Sequence, residues 1–165
     1  MRALFTFPDP VNEVSARLVA GGVVIMAVCG IALDQRWLPF VMFYGFVARV
    51  LTGPKLSPLG QFVTRVVTPR LPIAPRLVSG PPKRFAQGIG VAVTGSAAVL
   101  TALGYWTAGE VALGLIIVAA FLESVLGYCL GCKAFGLLMR AGVIPNEVCE
   151  RCSDIWSGRH PAPSA

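Results

Sequence analysis

Four cysteines near the C-terminus carry the densest chemistry in the sequence. Cys129 and Cys132 form one Cys-x-x-Cys pair within Tyr128-Cys129-Leu130-Gly131-Cys132, and Cys149 and Cys152 form a second. Sixteen residues separate the pairs, a spacing within the range of tetrahedral zinc sites. Each pair lets one turn of backbone aim two thiolates at a common point. A helix over Lys133 to Arg140 and a turn at Gly142-Val143-Ile144-Pro145 would supply the reversal that brings the pairs together. Four thiolates on zinc leave a charge of −2, which Lys133, Arg140 and Arg151 could offset.

Thiol redox chemistry is the rival use of the same residues. Paired cysteines in a reducing compartment are metal ligands or transiently oxidised thiols rather than stable disulfides. Lys133 beside Cys132 and Arg151 beside Cys152 would favour thiolate, whereas Glu147 and Glu150 oppose it. Unligated structural cysteines are the third possibility. Cys29 stands alone in an apolar run and reads as a small packing residue.

The rest of the chain must hold these thiols, and its composition is that of a membrane protein. Of 165 residues, 55% are apolar and 13% charged, with a mean hydropathy of +0.72. A soluble chain of this size could not hide so much apolar surface, but lipid can solvate it. The N-terminus lacks the pattern of a cleavable signal peptide.

Four spans are predicted, at about 14–33, 37–51, 87–106 and 111–128. Asp9-Pro10 offers a helix start, with Asp9 as N-cap and Pro10 at the first helical position. Glu13 and Arg17 are spaced as an i,i+4 ion pair. The first span is a twenty-residue run interrupted only by Arg17, enough to cross a hydrocarbon core of about 30 Å. Gly21, Gly22 and Gly30 would let neighbouring helices approach. The turn Asp34-Gln35-Arg36 leads into a second span that is short at fifteen residues, with Trp37 at its interfacial end.

Prolines punctuate residues 52–86, so a proline-rich loop is expected there, with no long helix. Ser57-Pro58 could cap a short surface helix to about Thr68, with an irregular loop as the alternative. Phe85 to Gly109 carries no charge over twenty-five residues and is the clearest span. The expected architecture is an all-α membrane protein of two helical hairpins (residues 9–128), a four-cysteine segment (129–156) and a disordered tail (157–165).

Two charges fall within the spans. Glu123 lies about 7–8 Å inside the end of the fourth span at helical rise. An ionisable group at that depth calls for a partner. Arg49 on the second span is the expected one, with Arg17 and Glu13 at similar depth. The pair could fix helix register or serve a proton or substrate path. His160 lies in the tail and has no evident role. No Gly-rich phosphate loop or Ser/His/Asp set is present, so hydrolase and nucleotide-binding readings have no support.

Four spans put both termini and the central loop on one side. That side holds thirteen of the 14 cationic residues, and Arg36 alone falls on the other. The positive-inside rule assigns the first side to the cytoplasm. The net charge of +6 is therefore a topological signal suited to lipid headgroups, not to nucleic acid. The expected location is the cytoplasmic (inner) membrane, with both termini cytoplasmic.

At Phe7-Pro8-Asp9-Pro10-Val11-Asn12-Glu13, Gly53-Pro54-Lys55-Leu56-Ser57-Pro58 and the double Cys-x-x-Cys, the chain resembles a family of small bacterial membrane proteins classed as a domain of unknown function. The resemblance covers roughly residues 5 to 155. It implies association with thioredoxin-like or sulfurtransferase proteins, hence thiol chemistry, without naming a reaction or catalytic residues. Likeness to quinone-coupled disulfide-forming enzymes is architectural only, because their active cysteines face the oxidising side. Three functional expectations follow. One is a structural zinc at Cys129, Cys132, Cys149 and Cys152. The second is a membrane-bound thiol or persulfide relay using the same cysteines with a thioredoxin-like or sulfurtransferase partner. The third is a small transporter subunit using Glu123 and Arg49.

Overall fold

Four long helices lie antiparallel and place most of the buried charge at one end. In the computed structural model, which describes residues 7–145, α1 spans Glu13–Ala32, α2 Leu38–Thr52, α4 Gly80–Ala102 and α5 Trp106–Leu126. A short helix, α3 (Pro58–Phe62), sits between α2 and α4, and α6 (Leu130–Arg140) follows α5. Helix α1 packs on α5, α5 on α4 and α4 on α2. The second cysteine pair, the tail from 157 to 165 and His160 lie outside the described residues.

The interior is built from small side chains with a few large ones between them. Ala27, Ala97 and Leu113 are fully buried, and Met42, Phe46 and Ile116 complete the same cluster. Gly90 leaves the space that the Phe46 ring fills. Close helix approach of this kind is how apolar helices associate in lipid, where burial from water supplies no drive. The outer surface is correspondingly apolar: Ile25, Val99, Val111, Leu115, Val118 and Leu126 are all more than half exposed. Helices α1, α4 and α5 are long and apolar enough to cross a membrane. Helix α2 is apolar but only fifteen residues long, about 22 Å at helical rise, and falls short by length.

Three local outcomes differ from expectation. Helix α1 is capped by Asn12, whose side chain accepts from Val14 N–H at 3.0 Å, rather than by Asp9. Asp9 accepts instead from the Gly80 N–H at 3.0 Å, where a carboxylate suits the positive end of α4. The fold is not wholly helical. Two-residue strands, β1 (Val11–Asn12) and β2 (Leu77–Val78), pair antiparallel and tie the N-terminal segment to the stretch before α4.

The largest difference is where α4 starts. Proline-rich residues up to 86 were expected to be loop, yet the helix begins at Gly80, with prolines in its first turn. Proline is tolerated there because first-turn N–H groups have no intrahelical partner to lose. Within the same loop, Ser57 caps α3 by accepting from Gly60 N–H at 3.2 Å. Helical turns then continue from Val63 to Arg70.

Candidate functional site

Helix α5 must end sharply for the first cysteine pair to reach the bundle. Gly127 does this with φ +67°, a left-handed conformation that glycine adopts without strain. The Gly127 and Tyr128 N–H groups close back on Glu123 and Leu122 carbonyls at 3.1 and 3.0 Å, a Schellman-type end. Cys129 is then extended and becomes the N-cap of α6, its Sγ accepting from the Cys132 N–H at 3.4 Å. Helix α6 therefore begins three residues before the expected Lys133, and Cys132 lies in its first turn.

Gly131, between the two cysteines, lets α6 settle against α4. A Cβ there would stand 2.6 Å from Cα of Ala86. Phe85 and Phe135 stack obliquely beside it, with ring centroids 5.6 Å apart. The pair thereby lies against the start of α4, where Lys83 points inward.

Lys83 is the residue that sequence reasoning missed. Its Nζ donates to Glu123 Oε1 at 2.6 Å, with the two side chains 9% and 14% exposed. Arg49 was the expected partner of Glu123; the direct bond of the carboxylate goes to Lys83, and it acts on Arg49 from farther off. The expected loop over residues 52–86 takes in Lys83 without singling it out. Placed in the first turn of α4, it faces the end of α5. The signal for it in the sequence is Pro81-Pro82, which opens a helix as readily as it interrupts one.

The other expected partners of Glu123 are engaged elsewhere. Arg17 donates to the carbonyls of Ser124 and Val125 at 3.1 and 2.8 Å, covering the C-terminal end of α5. Glu13 pairs with Arg76 at 3.0 Å rather than with Arg17. Arg49 donates to Gln87 Oε1 at 2.9 Å and to Ser57 Oγ at 3.3 Å. Its guanidinium also lies 4.3 Å from the Phe46 ring centre. Cys29 is exposed on the outside of α1, not packed within the bundle.

The two thiols are held unequally. The Cys129 thiol is pushed below its ordinary value, first by the hydrogen bond it receives from the Cys132 side chain. The Lys83 ammonium and the Cys132 N–H act in the same direction, against burial and the Glu123 carboxylate. The Cys132 thiol is pushed well above its ordinary value by giving that hydrogen bond and by burial. Cys129 is thus the more readily ionised thiol of the two, and Cys132 the one that holds its proton more firmly. The cation bearing on the thiols comes from α4; Lys133 lies over the Tyr128 ring, 5.5 Å from its centre.

Among the described residues no three or more of Cys, His, Asp and Glu are gathered as a metal would need. Cys149 and Cys152, half of the expected zinc set, lie outside those residues.

A family described as a domain of unknown function, DUF4395, matches residues 11–140. The chain belongs to the DUF4395 family. The DUF4395 match takes in Arg49, Lys83, Glu123, Cys129 and Cys132 and stops short of Cys149 and Cys152. No curated protein and no solved structure matches the chain.

Proposed function

We propose that this DUF4395 protein is a membrane-bound thiol relay in which Cys129 is the attacking thiolate and Cys132 the resolving thiol. One observation carries the reading: Cys129 Sγ caps the N-terminus of α6 and accepts the Cys132 N–H. Helix N-termini and nearby cations are the settings that turn a thiol into a nucleophile. Lys83 supplies the cation.

In the exchange, Cys129 S⁻ attacks one sulfur of a partner disulfide, and the partner's other sulfur leaves as thiolate. That thiolate takes the proton of Cys132. Cys132 S⁻ then displaces the partner from Cys129, forming a Cys129–Cys132 disulfide and releasing the reduced partner. Two electrons pass from the pair to the partner; the reverse sequence rearms the pair. Cys129 is 8% exposed, so a partner meets exposed Tyr128 and Leu130 first. A thioredoxin-like protein is the partner chemistry that fits, and a sulfurtransferase would pass a persulfide sulfur over the same route.

The setting we propose is the cytoplasmic membrane, with α2 as a fourth crossing and both termini in the cytoplasm. The packing supports this reading, because Arg17, Arg49, Lys83 and Glu123 gather at one end. Arg36 sits at the other, over Trp106.

Trapping tests the relay. With Cys132→Ser, the full chain in nanodiscs should accumulate a mixed disulfide at Cys129 with oxidised thioredoxin, and Cys129→Ser should abolish it. Absence of any Cys129 adduct would refute the relay. A second reading, structural zinc on all four cysteines, is favoured by the C-x2-C-x16-C-x2-C spacing. It predicts close to one metal per chain, with all four thiols protected until a chelator is added.

A further inference from the structure

Two buried cations stand at the charged end of the bundle, and one carboxylate serves both. Lys83 is neutralised by Glu123. Arg49 is 6% exposed, yet its hydrogen bonds go to the neutral oxygens of Gln87 and Ser57. Among the described residues no carboxylate lies within ion-pair distance of it, and Glu123, already bonded to Lys83, acts on it only from farther off. A buried charge whose counter-charge is distant and shared is costly, and the phenyl face of Phe46 offsets only part of that cost.

Beside Arg49 is a cavity of about 300 Å³ that Lys83 and Gln87 also line. Its remaining walls are mostly apolar, from Phe7, Pro8, Val11, Val19 and Pro54. That volume lies at the lower end of small-molecule sites, which combine apolar walls with a few convergent polar groups. The cavity is framed by segments distant in sequence. Gly53, with φ +63°, would place a Cβ 2.5 Å from Cδ of Pro8. Gly80 would place one 2.6 Å from the Pro8 carbonyl oxygen. Glycine at both positions lets the N-terminal segment close over the space.

We propose that this cavity binds an amphiphile with one anionic head group and one apolar tail, and that Arg49 holds the head. The positive charge left over from the Lys83–Glu123 pair sets the sign of the head group. The apolar walls set the character of the tail. Carboxylate and phosphate monoester heads share this chemistry, and the Gln87 side chain can donate a further hydrogen bond to either. The cavity shares Lys83 with the thiol site, but its ligand is held by Arg49, so its test is separate from that of the relay.

The test uses the full chain in phosphatidylcholine nanodiscs, with decanoate, decyl phosphate and decanol as radiolabelled probes measured against empty nanodiscs. The two anions should be retained at least tenfold more tightly than decanol. Preference for decanoate assigns a fatty-acid carboxylate, and preference for decyl phosphate assigns a phosphate monoester. Arg49→Gln should bring the anions down to the decanol level, and Arg49→Lys should restore part of the difference. Ala16→Phe, which fills the cavity from α1, should remove binding of all three probes with the protein still helical and monodisperse. Equal retention of decanol and the anions by the unmodified chain overturns the proposal. So does anion binding that survives Arg49→Gln or Ala16→Phe.

Discussion

Lys83 and Arg49 are buried to nearly the same degree, 7% and 6% exposed, at the same end of one bundle. Their hydrogen-bond partners differ in kind. Lys83 meets a carboxylate from α5, whereas Arg49 meets an amide and a hydroxyl from α4 and the segment before α3. The paired cation holds two helices together and bears on the thiols beside it. The cation with neutral hydrogen-bond partners shares a more distant Glu123 with Lys83, so among these three described groups one positive charge is left over. Equal burial therefore does not mean equal role; the identity of the counter-group decides it.

The difference can be broken most forcefully at Glu123. Glu123→Leu strands the Lys83 ammonium and should lower unfolding stability in detergent by about 3–5 kcal/mol. Adding Lys83→Met should recover most of that loss, because an apolar pair of similar volume avoids the desolvation cost. Additive losses in the double variant, read from denaturant unfolding, would show that the pair is not coupled.

Polar substitutions at the same pair should push the thiol in opposite directions. Glu123→Gln removes the carboxylate that raises the Cys129 value, so thiolate should persist to lower pH and alkylation in mild acid should be faster. Lys83→Gln removes the cation that lowers it, so thiolate should be lost at higher pH and alkylation slowed. A change of one pKa unit corresponds to roughly tenfold in thiolate below the midpoint, and mass spectrometry of alkylated Cys129 would read it.

At Arg49 the expected cost is smaller. Arg49→Met strands no opposite charge and leaves Gln87 with an unfilled acceptor, so it should cost about 1 kcal/mol, less than Glu123→Leu. A loss as large as that of Glu123→Leu would mean that Arg49 is bound to Glu123 as tightly as Lys83 is. Ser57→Ala should have the smallest effect, about 0.5–1 kcal/mol for the lost cap of α3, because Gln87 still accepts from Arg49 when Ser57 Oγ is gone, and it should show as a small drop in Tm.

Much of this architecture is legible in the sequence, for reasons that can be located. Three helices are long apolar runs bounded by turns, and the depth of Glu123 alone demanded a partner. What was not legible depended on where elements start and which segments meet. Pro81-Pro82 suggests a loop until it is recognised as the opening turn of α4, and that one boundary decides whether Lys83 is solvated or buried. Cys129-Leu130-Gly131-Cys132 announces a pair of thiols, but not that Cys129 caps a helix. Nor does it reveal the role of Gly131, which is to admit Ala86. The cavity near Arg49 could not be read at all, because Pro8, Gly53 and Gly80 converge only in the folded chain.

The central claim is that Cys129, rather than Cys132, carries the thiolate. Alkylation of each cysteine in the reduced, full-length protein can be followed by mass spectrometry as a function of pH. Because its value is depressed, Cys129 should stay reactive as pH falls through the ordinary thiol range and lose reactivity only below it. Cys132 should react only at pH above that range. The reverse order, or identical profiles for the two cysteines, would contradict the account.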